Sequence, residues 1–503
     1  MNYNTSTIKS VREISAVSGQ QNIEADIILP DYYDTIGKII LCDLSPSIEA
    51  VNMAGEKVSI SGCAKLNLIY MSEEKKIFSY ENEYKYTKVF QIRNNENCIC
   101  SDISQNVFSL NCRAVGPKRI EFRSVLQIAG KIRMLEGTEV LTETDSSDII
   151  TKYESIEFSE PVLITTKDFT VNKEDINLNN NSPVHIIRKN SRMYILETKP
   201  IHNKLYMKGY FETDIYYFSE NSTEIRRETV NIPFSEILDL FGIEEDDICK
   251  ISSENISCDI IISQNTDEKK SEIRIAAFFD ITVYRKISKK LVSDAYSLKS
   301  VLIPEFIYSD AVTGEYKLTN KENISFEADI FDDGQLTILD AFADNIRISS
   351  DRKGERLTAL ITADFNALIK DCNDAVYIIS REYTFESIFS LPDLNHKSGK
   401  IHIEMLSISA LQNKTDKISF RCEINVSSEI SECRKVKAIT DFNLTPCAPD
   451  ETKEKFILYF ACKDEELWTI AKDNMTCVED IRSINNISSD KIPENMTILL
   501  PSF

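Results

Sequence analysis

The chain contains few residues of the types that catalyse reactions or bind metals. Of its 503 residues four are His, namely His185, His202, His396 and His402. Neither His185 nor His202 has a Cys or Asp at metal-ligand spacing, and no His lies near the closest Cys pair, Cys98 and Cys100. There is no phosphate-binding glycine loop, zinc-binding His pair or nucleophile elbow. We therefore expect no enzyme activity, no metal and no cofactor.

Two acidic clusters are the remaining candidates for chemistry. They are Glu244-Glu245-Asp246-Asp247 and Asp332-Asp333, the second followed directly by Gly334. Short acidic runs next to Gly are typical of solvated turns. We interpret both as turns rather than as catalytic or calcium sites.

The charge balance excludes several classes of partner. The formal net charge is −22 and the pI is about 4.8, so phosphate backbones and anionic membrane surfaces would repel the chain. No segment approaches the 18–20 apolar residues of a membrane span, and the first residues lack the pattern of a signal peptide. The 13 Cys are then expected to be reduced thiols in a cytoplasmic protein.

A long alternating pattern occurs three times along the chain. Every second position from Val58 to Tyr70, from Leu205 to Tyr217 and from Leu357 to Ile369 is apolar, except for Gly62, Gly209 and Thr213. This period of two predicts half-buried β-strands. A second alternating strand follows in each copy, beginning at Ile120, Ile273 and Ile418. Matching order and spacing indicate three copies of one β-rich unit.

Between the two strands each copy has an aromatic residue followed by apolar residues three and four positions later. The segments are Tyr86–Phe90, Phe234–Leu238 and Phe385–Phe389. This spacing predicts a short helix that packs on the sheet. The fold class is therefore mainly β, with three related antiparallel β-rich domains, each with a short helix, followed by a small α+β module. We place the domains at residues 1–140, 165–292, 295–445 (divergent) and 455–503, with polar linkers at 136–160, 286–301 and 445–451.

The last 48 residues have a different pattern. Phe456–Phe460 reads as a strand, and Asp464 is a plausible N-cap for a helix that buries Leu467, Ile470 and Ala471. Thr476-Cys477-Val478-Glu479 has the form of a capping box before a second helix. Ile498-Leu499-Leu500 closes the module as a strand, which predicts the order β–α–α–β.

This module resembles a LysM domain. The resemblance is carried by Tyr459, Leu467-Trp468-Thr469-Ile470-Ala471, Val478-Glu479-Asp480-Ile481, Asn485-Asn486-Ile487, Ile492-Pro493 and Leu499-Leu500-Pro501. LysM domains usually bind N-acetylglucosamine glycans in a groove between two loops. Here Asp464-Glu465-Glu466 replaces the usual Gly-Asp-Thr, and Glu494 replaces a Gly.

The preceding repeats resemble SPOCS-type domains, chiefly through Gly62 and Tyr70, Gly209 and Tyr217, and Pro233-Phe234. Three such repeats followed by one LysM module look like spore-coat morphogenetic proteins of clostridial spore formers. The resemblance implies a non-enzymatic adaptor in the mother-cell cytoplasm, at the forespore surface and spore coat. Its implied partner is the coat-basement ATPase of the SpoIVA type, with other coat proteins as further possible partners.

The acidic replacements favour a protein partner at the LysM groove over a sugar. The predicted partner-binding residues are Asp464, Glu465, Glu466, Trp468, Asn486, Ile487 and Glu494. Trp468, the only Trp, is placed at the edge of the first helix, where it reads either as a rim of the small core or as a binding anchor. The alternative function is a glycan-binding cell-wall protein.

Overall fold

The computed structural model describes residues 3–74, 76–93, 97–174, 183–219, 225–262, 271–329, 336–372, 376–393, 395–414, 416–446 and 456–501. Within these ranges the chain forms three β domains and a small C-terminal module. None of the helices in this part of the chain is long and apolar enough to cross a membrane.

The first β domain consists of two three-stranded antiparallel sheets. Its strands are β1 (Tyr3–Ile28), β2 (Ile36–Ala54), β3 (Lys57–Ser72), β4 (Ile77–Gln91), β5 (Cys98–Gly116) and β6 (Arg119–Thr144). Strands β2, β3 and β4 form a meander, whereas β1 and β5 flank β6. The two sheets bury one shared core, largely from alternate positions of β3 and β6.

The second and third β domains repeat this topology. The second contains β7 (Ile149–Lys173), β8 (Pro183–Ile201), β9 (Lys204–Ser219), β10 (Ile225–Asp239), β11 (Ile248–Ile262) and β12 (Ser271–Ser297). The third contains β13 (Ser300–Asp329), β14 (Thr337–Lys353), β15 (Arg356–Lys370), β16 (Val376–Ser390), β17 (His396–Lys414) and β18 (Lys417–Pro446). In both, the first strand pairs with the last, and the second to fourth strands form the other sheet.

The strands predicted from alternation are present, and their apolar positions face the cores. Val58, Leu205 and Leu357 occupy equivalent registers, opposite Phe90, Leu238 and Phe389. Ile60, two residues after Val58, and Met207, two residues after Leu205, are fully buried. Phe365 in the third copy is fully buried as well. The alternation predicts burial correctly because side chains of a strand point to opposite faces in turn.

The three segments predicted as short helices are strands instead: they lie in β4, β10 and β16. Residues four apart share a face in a helix and also in a strand, so the spacing of Tyr86 and Phe90 fits both structures. The residue at the third position decides between them, and it points to solvent in each copy. The exposed fractions are 51% for Val89, 61% for Ile237 and 39% for Ile388.

Two predicted polar linkers, 136–160 and 286–301, are in fact the ends of long strands. Beyond the sandwich of each domain, the first and last strands continue as a two-stranded ribbon, such as Tyr3–Val11 with Leu135–Thr144. One face of a ribbon is solvated, which explains the polar composition. The three ribbons share a core of Ile8, Val140, Ile156, Phe158, Leu291, Ala311, Val436 and Ala438. Of the third predicted linker, Thr445 and Pro446 end β18, and the rest lies outside the described residues.

The C-terminal module has the predicted β–α–α–β order. It consists of β19 (Phe456–Ala461), α1 (Leu467–Asp473), α2 (Val478–Asn485) and β20 (Met496–Pro501), with β19 and β20 antiparallel. Its core contains the residues expected from the helical pattern, including Leu467, Ile470, Ala471 and Ile481.

Both predicted helix caps of the module are wrong. Asp464 has a left-handed φ of 67° and precedes the N-cap of α1, which is Glu466. The N-cap of α2 is Cys477, and it makes no side-chain capping hydrogen bond, so no capping box forms. Thr476 is buried and precedes this N-cap by one residue, so the predicted register of the capping box is one residue off.

Candidate functional site

Two loops of the module lie side by side, one between β19 and α1 and the other between α2 and β20. An antiparallel bridge links Glu466 to Lys491. Three backbone hydrogen bonds of 2.9 Å also join the loops: Asp464 N to Ile492 O, Ile492 N to Glu465 O, and Leu467 N to Asp490 O. The fold therefore brings most of the predicted binding residues to one end of the module.

Glu465, one of the predicted binding residues, stabilises the loop itself. Its Oε1 accepts a hydrogen bond of 2.6 Å from the Tyr459 hydroxyl, and its Oε2 accepts one of 2.9 Å from Cys462 N. The bond to Glu465, with a smaller effect of burial, raises the pKa of Tyr459 to about 12. The Glu465 carboxylate thus has two internal partners.

Three of the predicted residues point to solvent at the loops. Asp464 and Glu494 are exposed at the end of the sheet formed by β19 and β20, and Asn486 is exposed at the C-cap of α2 with a φ of 54°. Asn tolerates this left-handed conformation better than most residues do. These side chains stay candidates for partner binding.

Ile487 was predicted as a partner-binding residue, and the structure places it in the core instead. The residue is 7% exposed and belongs to the module core with Ile481 and Leu500. The left-handed turn at Asn486 reverses the chain, and Ile487 N donates to Arg482 O, which directs the Ile487 side chain inward. An apolar surface must therefore come from other residues.

Trp468 is half-buried, and its indole contacts the second β domain. Its ring is 5.0 Å from the ring of Tyr296 at an angle of 72°, and its Nε1 donates a 2.8 Å hydrogen bond to Asp294. Lys152 lies over the indole and pairs with Glu466 at 3.1 Å. Of the two predicted alternatives, a rim of the small core fits Trp468, since it packs against the module core, and its indole is engaged within the chain.

An apolar surface that the sequence reasoning missed covers the outer face of the β19–β20 sheet. We call it the sheet face. Its large side chains are Phe456, Leu458, Phe460 and Leu499, which are 50%, 65%, 80% and 39% exposed. Cross-strand neighbours on this face are Leu458 with Leu499, Phe460 with Thr497 and Phe456 with Pro501. The face itself contains no charged residue.

The sequence did contain a signal for this surface. Phe456-Ile457-Leu458-Tyr459-Phe460 is apolar at every position, whereas a strand with one solvated face alternates. Helices α1 and α2 cover only the face to which Ala461, Ile498 and Leu500 contribute. The continuous apolar run therefore indicates that the outer face of the β19–β20 sheet is also a contact surface.

Outside the module, the acidic clusters and the thiols were the other candidates for chemistry. No group of three His, Cys, Asp or Glu in the described part of the chain could hold a metal ion. Asp247 of the first acidic cluster binds Arg285 at 2.7 and 2.8 Å, whereas Asp332 and Asp333 lie outside the described residues. Burial raises the pKa of Cys100 and Cys422 to about 12, which keeps both thiols protonated at neutral pH.

Two segments of the chain match known families. Residues 184–262, which span β8–β11 of the second β domain, match the family model described as SipL, SPOCS domain. Residues 463–501 match the LysM domain model. The chain thus contains a SPOCS domain of the SipL type and a LysM domain, which confirms the resemblance at both segments. No curated protein and no solved structure gives a significant match.

Proposed function

We propose that this protein is a non-enzymatic adaptor of the spore envelope, whose LysM module docks the coat-basement ATPase of the SpoIVA type. In this role it helps to localise the coat around the forespore, in the mother-cell cytoplasm. The combination of a SipL-type SPOCS domain with a LysM domain supports this proposal. The shared topology of the three β domains is consistent with one scaffold of three repeats.

The sheet face is the observation that most favours a protein partner. Four large apolar side chains lie together on a two-stranded sheet, although a solvated surface of this size is normally polar. Strands β19 and β20 pair only with each other among the described strands, so each keeps one edge for backbone hydrogen bonds. A neutral sugar offers neither apolar side chains nor a strand to such a surface.

The acidic loops provide a rim to this surface. Asp464 lies three residues after β19 and Glu494 two residues before β20, both at the end of the sheet where Phe460 lies. Residues 455–503 contain five Lys or Arg and eight Asp or Glu, a net charge of −3. The partner surface that fits is therefore an apolar strand or patch with basic residues at its border.

The test is a titration of the full chain with the purified coat ATPase and, separately, with chitooligosaccharide. We expect binding to the ATPase, and we expect Leu458→Glu to weaken it at least about tenfold because a charge enters an apolar contact. Leu196→Glu is the matched control, since Leu196 on β8 is 68% exposed and Leu458 is 65% exposed. Tight sugar binding without ATPase binding would overturn the proposal in favour of the glycan-binding alternative.

The proposed location can be tested in sporulating cells. A fluorescent fusion of the full chain is expected to collect on the forespore surface, and its deletion is expected to mislocalise the coat. A fusion that stays diffuse throughout sporulation would contradict this part of the proposal.

A further inference from the structure

The contact between the LysM module and the second β domain is specific and polar at its centre. It joins α1 to the ribbon formed by β7 and β12, where Lys152 and Asp294 are register partners. Asp294 accepts hydrogen bonds from Trp468 Nε1 at 2.8 Å and from Lys472 Nζ at 2.7 Å, one on each carboxylate oxygen. One carboxylate therefore fixes two side chains of the same helix.

Apolar packing surrounds this carboxylate. Tyr296, only 4% exposed, belongs to the module's own core cluster, and Ile150 and Leu298 pack against that cluster. The Tyr296 hydroxyl donates a buried hydrogen bond of 2.7 Å to Thr476 O. The side chain of Asp294 is itself only 17% exposed, so solvent screens its ion pair with Lys472 weakly.

Electrostatics favour the charged form of Asp294 in this position. Burial alone would raise its pKa, but the hydrogen bonds from Lys472 and Trp468 outweigh burial and lower the pKa. The lowered pKa means that the contact is expected to persist through moderate acidification.

Among the described residues, the module's recorded contacts with a ribbon are to that of the second β domain. The outer ends of the other two meet each other, with the rings of Tyr3 and Phe442 6.0 Å apart. In the third domain, Asp441 accepts a local hydrogen bond from Phe442 N, just as Asp294 does from Ala295 N. Unlike Asp294, Asp441 is exposed, and in the part of the chain described it makes no recorded hydrogen bond to the module. The repeats have thus diverged at the ribbon ends.

We infer that the second β domain is the receptor of the LysM module within the same chain, and that Asp294 holds the module in one orientation through Trp468 and Lys472. The module then moves with the β domains as one body, with the sheet face exposed. The contact does not depend on any partner. Its consequence for function, a docking surface held at a fixed angle to the repeats, rests on the function proposed above.

The only Trp of the chain reports this contact directly, so intrinsic fluorescence of the full-length protein tests the inference. Asp294→Ala is expected to move Trp468 emission to longer wavelength and to increase quenching by acrylamide. Loss of a hydrogen bond to a charged group should lower the ratio of docked to undocked module by about tenfold or more. Lys472→Ala changes the other side of the contact and is expected to act in the same direction.

Asp441→Ala is the control, because it removes a carboxylate from an equivalent ribbon end without touching the module. Thermal unfolding followed by circular dichroism establishes that each variant is folded. Emission and quenching that are the same in Asp294→Ala, Lys472→Ala, Asp441→Ala and the unaltered protein would overturn the inference. Such a result would leave the proposed ATPase docking untouched, since it involves no partner.

Discussion

The β domains and the LysM module use strands in opposite ways. From Val58 to Leu66 in β3, buried residues alternate with partly exposed ones, so one face enters the core and the other is partly solvated. In β19 both faces are apolar, yet only one of them is covered by the module's own helices. The difference teaches where exposed apolar residues collect: in the module they form one continuous face, which is why we propose that this face binds a partner.

The largest expected effect of a substitution is in a β-domain core. Phe365 is fully buried, with its ring 5.1 Å from Phe326. Phe365→Ala should lower the free energy of unfolding by about 3–5 kcal/mol, because it removes a large side chain and leaves a cavity. Urea unfolding measures this loss, and a loss below about 1 kcal/mol would mean that the core is not packed as described.

The matching change on the sheet face should affect binding rather than folding. Phe460 is 80% exposed, so Phe460→Ala should alter the stability by less than about 0.5 kcal/mol. The variant's binding free energy for the ATPase should become less favourable by about 2 kcal/mol, as for the loss of an aromatic interface anchor. Isothermal titration of the full chain gives the affinity. Unchanged affinity together with unchanged stability would remove the sheet face from the docking site.

The contact between the first and second β domains is expected to respond to pH. Burial raises the pKa of Asp280 to about 6, although Asp102 N donates to its carboxylate at 2.7 Å. The folded state therefore binds the proton more tightly than the unfolded state does, and stability should rise as the pH falls from about 7.5 to 5. We expect Asp280 to contribute about 1 kcal/mol to this rise.

This contribution is measured by urea unfolding of the unaltered protein and of Asp280→Asn at both pH values. The variant should show the smaller rise on acidification, whereas the exposed control Asp168→Asn should behave like the unaltered protein. Equal pH dependence in all three proteins would show that Asp280 is not the responsible group.

The smallest effect is expected at the acidic rim of the module. Glu494→Lys should slow association with the ATPase a few-fold and weaken its salt dependence, because rim charges act mainly on the encounter rate. Asp473→Lys, the same charge change at an exposed residue at the end of α1, is the control. Stopped-flow measurement of the association rate at two ionic strengths compares the two variants. An equal effect of both variants would indicate a general charge effect instead of a rim.

Much of the fold followed from the sequence, and the failures have a common physical origin. Alternation located strands β3, β6 and their counterparts, since burial of one face leaves a period of two. The helix predicted from the spacing of Tyr86 and Phe90 was wrong, because residues four positions apart share a face in a helix and in a strand alike. The prediction of polar linkers was wrong because a ribbon with one solvated face has the polar composition that a loop also has. The candidate site could be predicted from the sequence only in part, since Ile487 faces the core and Trp468 faces another domain.

The sequence by itself determined the repeat, the β–α–α–β module and its likeness to LysM, because these depend on local periodicity and on residues close together in the chain. Only the tertiary structure decided how distant segments meet. Ile69, Tyr216 and Leu368 each lie eleven residues after the equivalent strand positions Val58, Leu205 and Leu357, and they share one buried cluster. The contact of Asp294 with Trp468 spans 174 residues. No local pattern encodes such contacts, because they depend on the packing of whole domains.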